Sequence, residues 1–154
     1  MGDERKFLNR EVVKRYEGNP ILTIDDIPVC CNSVFNPGAI KLSDRYLLFL
    51  RVEDNDRISH FRVATSKDGV HFEVWKDSAN IPGGPEYDLY ETNRYDGRIT
   101  LLDGWYYIMF CSEANFGCRL GLIRTKDFVH YERLPFASET EQRNGVLFPE
   151  KIDG

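Results

Sequence analysis

The residue most out of place in this sequence is Arg51. It ends the apolar run Tyr46-Leu47-Leu48-Phe49-Leu50, where a charge belongs only if it is paired or faces a cavity. An ion pair with Glu53 or Asp54 would satisfy it, and so would a ligand pocket. Asn36, in Asn36-Pro37-Gly38, and Asp96, in Tyr95-Asp96-Gly97, each lead into a further apolar stretch. Both are equally open to a turn and to a ligand-facing role. Arg57, Arg98 and Arg133 fall near strand ends, and Lys151 follows Val146-Leu147-Phe148-Pro149; each is either a ligand cation or a solvated charge. Other catalytic patterns do not occur. His60, His71 and His130 have no nucleophile in a recognisable arrangement, and there is neither a Gly-rich phosphate loop nor a His-Glu-x-x-His motif. Cys30, Cys31, Cys111 and Cys118 form no Cys-x-x-Cys pair, so they read as buried thiols and no metal is expected.

What positions these residues is an internal repeat. Residues 39–75 superimpose without a gap on 98–134, at the spacing of 59 that separates Asp44 from Asp103. Ser66-Lys67-Asp68 falls on Thr125-Lys126-Asp127, and Val70-His71-Phe72-Glu73 on Val129-His130-Tyr131-Glu132. Lys151-Ile152-Asp153-Gly154 echoes Leu101-Leu102-Asp103-Gly104 and reads as the start of a third copy. Each copy predicts four strands: a short first one (38–42; 97–101), a continuous apolar second one buried on both faces (46–52; 105–111), a third (60–65; 120–124), and in the first copy an alternating edge strand over 70–75. Ser66-Lys67-Asp68-Gly69 and its counterpart read as hairpin turns, and no stretch has capped helical periodicity. Four-stranded units at this period describe propeller blades, over 38–80 and 97–137, preceded by a lead-in over 1–37 and followed by a third blade from 145. A β-sandwich of two related halves is the alternative. The spacing places Tyr95 on Asn36 and Asp96 on Pro37, at one end of the blades, so that these side chains converge on one pocket; it places Phe110 on Arg51.

Composition narrows the function. Lys and Arg number 20 against 25 Asp and Glu, and this net charge of −5 without a basic block speaks against a nucleic-acid partner. A hydrophobic share of 42% excludes disorder, while no apolar run approaches the ~18 residues of a membrane span. The charged opening Met-Gly-Asp-Glu-Arg-Lys leads into no apolar signal segment, and a cytoplasmic protein is expected.

Asn19-Pro20-Ile21-Leu22, residues 32–39, Leu50-Arg51-Val52-Glu53-Asp54, residues 66–72, Asp96-Gly97-Arg98-Ile99-Thr100 and Leu147-Phe148-Pro149-Glu150-Lys151 together resemble glycoside hydrolase family 130, the β-mannoside phosphorylases and related mannosidases. The resemblance implies an all-β, five-bladed β-propeller, of which 154 residues at ~59 per blade cover about two and a half blades. It also implies an inverting enzyme in which phosphate attacks C1 of a β-mannoside and releases mannose 1-phosphate. A hydrolase of this stereochemistry needs an acid and a base, whereas phosphate arrives already anionic and needs cations instead. Asp96 matches the general acid; Asn36, Arg51, Arg57 and Arg98 match substrate-side positions; Arg133 and Lys151 match phosphate-binding ones. No cofactor is implied beyond inorganic phosphate as co-substrate. Tyr95-Asp96-Gly97-Arg98 resembles the branch acting on mannosyl-glucose, with manno-oligosaccharides the alternative. Two further readings stand beside this one: a β-mannosidase, and a truncated chain that binds sugar or self-associates without catalysis, its uncovered blade faces favouring oligomers.

Overall fold

Both copies of the repeat fold as four-stranded antiparallel sheets. The structure, a computed structural model, describes residues 13–152; the charged opening and the last two residues of the third copy lie outside the described residues. The first sheet places β1 (Ser33–Lys41), β2 (Tyr46–Glu53), β3 (Ser59–Ser66) and β4 (Glu73–Ser78) in chain order. The second repeats that order with β5 (Asn93–Leu102), β6 (Trp105–Ala114), β7 (Gly117–Thr125) and β8 (Tyr131–Leu134). The chain is all-β as expected, apart from a 3-10 turn (Ile24–Asp26) and a one-turn helix α1 (Pro85–Asp88). Both are too short for hydrophobic periodicity to register; Thr23 and Asp26 cap the first reciprocally, and a proline at its start sets the second. Residues 145–152 form no strand. They cross the far face of the second sheet, where Thr100 Oγ1 donates to the Leu147 carbonyl at 3.1 Å and Gly145 sits against Met109 and Leu120. Among the described residues no helix is long and apolar enough to cross a membrane.

The apolar run of β2 is buried on both faces because each face meets a different layer. Leu47 and Phe49, with Phe61 and Val63 of β3, pack against Ile108, Phe110 and Ile123 of the second sheet. Leu50, Val52 and Ala64 pack instead against Leu22, Ile27, Val29 and Cys31, so the lead-in segment closes the other side. Phe49 stacks on Phe61 at 4.6 Å between centroids, and Phe110 meets Phe61 edge-on at 5.7 Å. Burying each such side chain contributes about 1.5–3 kcal/mol, and the Phe61–Phe110 pair carries this packing from one sheet to the other.

The edge strands start later than alternation predicts, and the reason is local. Asp68 Oδ1 accepts the backbone N–H of Val70 and His71, and its Oδ2 lies 2.7 Å from His71 Nδ1. Those N–H groups are spent in the turn, so β4 begins only at Glu73. Asp127 repeats the arrangement with Val129 and His130, and β8 begins at Tyr131. The His ring and these backbone donors hold both carboxyls well below the usual carboxylate range. A carboxyl whose pKa is lowered by folding stabilises the fold above its unfolded pKa of about 3.9 and loses that contribution as the pH falls below it. We therefore expect the urea midpoint to drop between pH 5 and pH 3, and the double variant Asp68→Asn/Asp127→Asn to flatten that drop. An unchanged acid limb in the double variant would count against the turns as its source.

Register refines the repeat. In the leading strands equivalent positions are 60 residues apart, as Asn36 and Asp96 are, because β1 and β5 carry the same irregularity between Phe35 and Gly38 and between Tyr95 and Arg98. The outer strands keep the spacing of 59, with Thr65 opposite Glu73 and Arg124 opposite Glu132. The missing residue is absorbed where β2 turns into β3, a longer connection than that between β6 and β7. A one-residue slip turns a strand over, so the ungapped alignment put Tyr95 on Asn36 and Phe110 on Arg51. The structure puts Asp96 on Asn36, Tyr95 on Phe35 and Cys111 on Arg51. Close approach fixes one glycine: a Cβ on Gly38 would stand 2.5 Å from the carbonyl oxygen of Gly97 in the facing sheet. Gly38→Ala must push backbone apart and is expected to cost about 1–3 kcal/mol by chemical denaturation; a neutral result would mean the sheets separate freely there.

Candidate active site

Two matching bulges bring the candidate residues together. Opposite Asn36-Pro37 and Asp96-Gly97 the leading strands hold one residue more than their partners, and such bulges re-aim a side chain. Asp96 adopts φ 57°, a left-handed backbone that Asp tolerates better than most residues but that still costs about 1 kcal/mol. The two bulged side chains meet: Asn36 Nδ2 donates to Asp96 Oδ1 at 3.1 Å. Arg51 reaches the same oxygen, with Nη1 3.7 Å away, and Arg51 Nε donates to Ser59 Oγ at 3.1 Å. The pair is only partly shielded, with 18% and 22% of the two side chains exposed, so its carboxylate and guanidinium both remain open to a ligand. The residues that precede the two bulges complete the arrangement. Phe35 and Tyr95 both set a ring against the guanidinium, with centroids 4.4 and 4.5 Å from its carbon. The charge at the end of an apolar strand is thus answered by Asp96 and two rings, and not by Glu53 or Asp54.

Four other expected residues do not join this cluster. Arg57 is exposed in the turn after β2, at φ 66°. Arg98 is exposed on β5 just past the bulge. Arg133 is buried: only 5% of its side chain is exposed, it pairs with the wholly buried Glu91, and its guanidinium packs on the rings of Tyr87, Phe110 and Phe136. Lys151 pairs with Asp103 at 2.8 Å, in the turn seven residues along the chain from Asp96, roughly 20 Å away at strand rise. Arg133 and Lys151, the residues that match phosphate-binding positions, are therefore each engaged by a carboxylate.

The structure supplies residues that sequence reasoning passed over. Arg143 Nη1 donates to the Tyr95 hydroxyl at 3.0 Å and its Nη2 to Glu113 at 3.1 Å, while half of its side chain stays exposed. Its only sequence cue was a charge before the turn-like Asn144-Gly145. Tyr95 belongs to a small buried cluster with Cys111 and Cys118, where burial pushes the Cys111 thiol up to about 11. These two thiols are buried as expected, but Cys30 is exposed and Cys31 half-exposed, since the lead-in lies on the surface. Phe35 and Ser59 carried no signal, because an aromatic or a serine in a strand normally reports packing.

The family model for glycoside hydrolase family 130, described as beta-1,4-mannooligosaccharide phosphorylase, matches residues 3–154. The 4-O-beta-D-mannosyl-D-glucose phosphorylase of Bacteroides fragilis is 39% identical over 137 residues, covering 80% of this chain and 34% of its own. The beta-1,4-mannooligosaccharide phosphorylase of Ruminococcus albus is 29% identical over 152 residues, covering 94% and 45%. This chain thus spans between a third and a half of the length of these curated relatives. The beta-1,2-mannobiose phosphorylase of Listeria innocua, solved with beta-1,2-mannobiose, superimposes with a TM-score of 0.78 at 24% identity over 91% of this chain and 55% of that one, which supports the fold. The chain belongs to glycoside hydrolase family 130.

Proposed function

We propose that the whole protein phosphorolyses a β-mannoside with inversion and releases mannose 1-phosphate, with Asp96 as the acid. The observation that carries this reading is a single carboxylate held on a strained bulge between an amide and a guanidinium. Among the described residues the cluster gathers one carboxylate, Asp96, whereas an inverting hydrolase needs a second as base. Asn36 and Arg51 hold sugar hydroxyls, and Asp96 supplies the proton that the departing sugar oxygen takes up. The bond from mannose C1 to that oxygen breaks as a phosphate oxygen bonds to C1 from the opposite side. Arg143, beside Tyr95 and half exposed even while paired with Glu113, is a cation that suits the incoming anion. The substrate class is mannosyl-glucose, on the Tyr95-Asp96-Gly97-Arg98 pattern and the B. fragilis relative. The fold is a five-bladed propeller in which each sheet is a blade and residues 145–152 lead into the third.

The test is to incubate the whole protein with β-mannosyl-glucose, with and without inorganic phosphate, and to assay mannose 1-phosphate and free mannose. Phosphate-dependent mannose 1-phosphate is expected. Equal release of mannose without phosphate would make the protein a β-mannosidase.

A further inference from the structure

Arg51 and Asp96 belong to different sheets, so the 3.7 Å between them depends on how those sheets are held where β3 and β5 begin. β4 pairs with β3 only from Arg62 onward, which leaves the backbone N–H of Ser59 without a ladder partner. Ser59 is 3% exposed, and a buried backbone donor must be satisfied. The partner comes from the other sheet: Asn93 Oδ1 accepts the N–H of Ser59 at 2.8 Å and that of Arg94 at 3.0 Å. Two donors on one atom identify it as the amide oxygen. The Ser59 hydroxyl in turn receives Arg51 Nε at 3.1 Å. Asn93 lies three residues before Asp96 on β5, about 10 Å along the strand. A closed path therefore runs from Asp96 along β5 to Asn93, across to Ser59, through its hydroxyl to Arg51, and back to Asp96.

We propose that Ser59 and Asn93 are positioning residues that lock Arg51 against Asp96 by clamping the two sheets together at the mouth of the site. Neither touches the reacting atoms. Ser59 fixes the direction of the guanidinium and Asn93 fixes the sheet that carries Ser59 relative to the one that carries Asp96. The catalytic value of the clamp rests on the reading of Asp96 and Arg51 given above; its existence does not. Support of this kind matters because a displacement of about 1 Å in a group that orients substrate can cost ~100-fold in rate.

The experiment uses the whole protein labelled with 15N-arginine, the Arg51 Nε–H signal being assigned by its loss in Arg51→Lys. In Ser59→Ala that signal is expected to shift and its exchange with water to speed up about tenfold or more, as follows when a shielded donor loses its acceptor. Asn93→Ala, made in the opposite sheet, is expected to do the same, while Ser59→Thr and Asn93→Asp, which keep the accepting oxygens, preserve the signal. Kinetics on the same variants are expected to raise KM for β-mannosyl-glucose about tenfold in the alanine variants and to recover in the conservative ones. An Arg51 signal unchanged in both alanine variants overturns the clamp, whatever the activity. A changed signal in a wild-type background that shows no phosphorolysis leaves the clamp standing and overturns the catalytic reading.

Discussion

Asp96→Asn in the whole protein is expected to lower turnover by about 10²–10⁴-fold, the usual worth of a positioned general acid, with little change in Tm. The substitution isolates chemistry from structure. An amide oxygen still accepts the proton of Asn36 Nδ2, and Asn tolerates the φ of 57° that this bulge imposes. What disappears is the carboxyl's ability to give up a proton and, once it has, to face Arg51 as an anion. Asp96→Ala would remove the same groups but add backbone strain at a left-handed position, so it is the weaker diagnostic. Initial rates at saturating phosphate, with thermal denaturation of both proteins, decide the matter. An Asn variant within about threefold of the wild type would take Asp96 out of the acid's role.

Glu91→Ala is expected to destabilise the protein by about 3–5 kcal/mol, a large share of the 5–15 kcal/mol that typically holds a protein folded. Glu91 is wholly buried and answers three groups from three places. Ser112 Oγ donates to it at 2.6 Å from β6, Arg133 pairs with it from β8, and Arg94 Nε lies 2.8 Å from its other oxygen. The Arg94 contact is off the hydrogen-bond axis and acts as a charge contact only, since neither atom finds a hydrogen-bond partner. Arg133 has two further buried nitrogens, Nε and Nη1, with no hydrogen-bond partner, so removing its carboxylate would strand a cation among rings. Breaking one half of a buried pair is costly, whereas replacing both halves by apolar groups often is not. Glu91→Ala/Arg133→Met is therefore expected to regain much of the loss by urea denaturation. A double variant as unstable as the single one would show that the rings, and not the charges, hold this corner.

The same pair marks what a sequence can disclose. The four-stranded repeat was legible because a continuous apolar run and twin Ser/Thr-Lys-Asp turns recur in both copies, and both are local properties of the chain. The convergence of Asn36 with the Tyr95-Asp96 pair was also legible, since position within a repeat predicts position in space. The single-residue difference between leading and outer strands was not, because it is absorbed in a connection whose length no pattern constrains. The ion pairs of Arg133 and Lys151 were not legible for another reason: pairing depends on partners distant in sequence. Glu91 stands 42 residues from Arg133, and Tyr-Glu-Thr-Asn reads as an ordinary polar loop. Asn93 and Ser59, 34 residues apart, were invisible on the same ground.

The rings of Phe35 and Tyr95 both lie against Arg51, and its donors point out along its edges. A guanidinium carries five N–H groups in one plane, and Ser59 takes one of them. Whatever enters the site can meet the remaining donors only edge-on, as a key meets a slot. Two oxygens on adjacent carbons can fill that slot when they lie close to a common plane, and a single oxygen or a splayed pair fills half of it. Where Arg51 holds the sugar as proposed, selection is one of flatness: neighbouring hydroxyl groups are graded by their torsion angle before any charge is counted. An ammonium, with donors that rotate freely, would attract the same ligands and tell none of them apart.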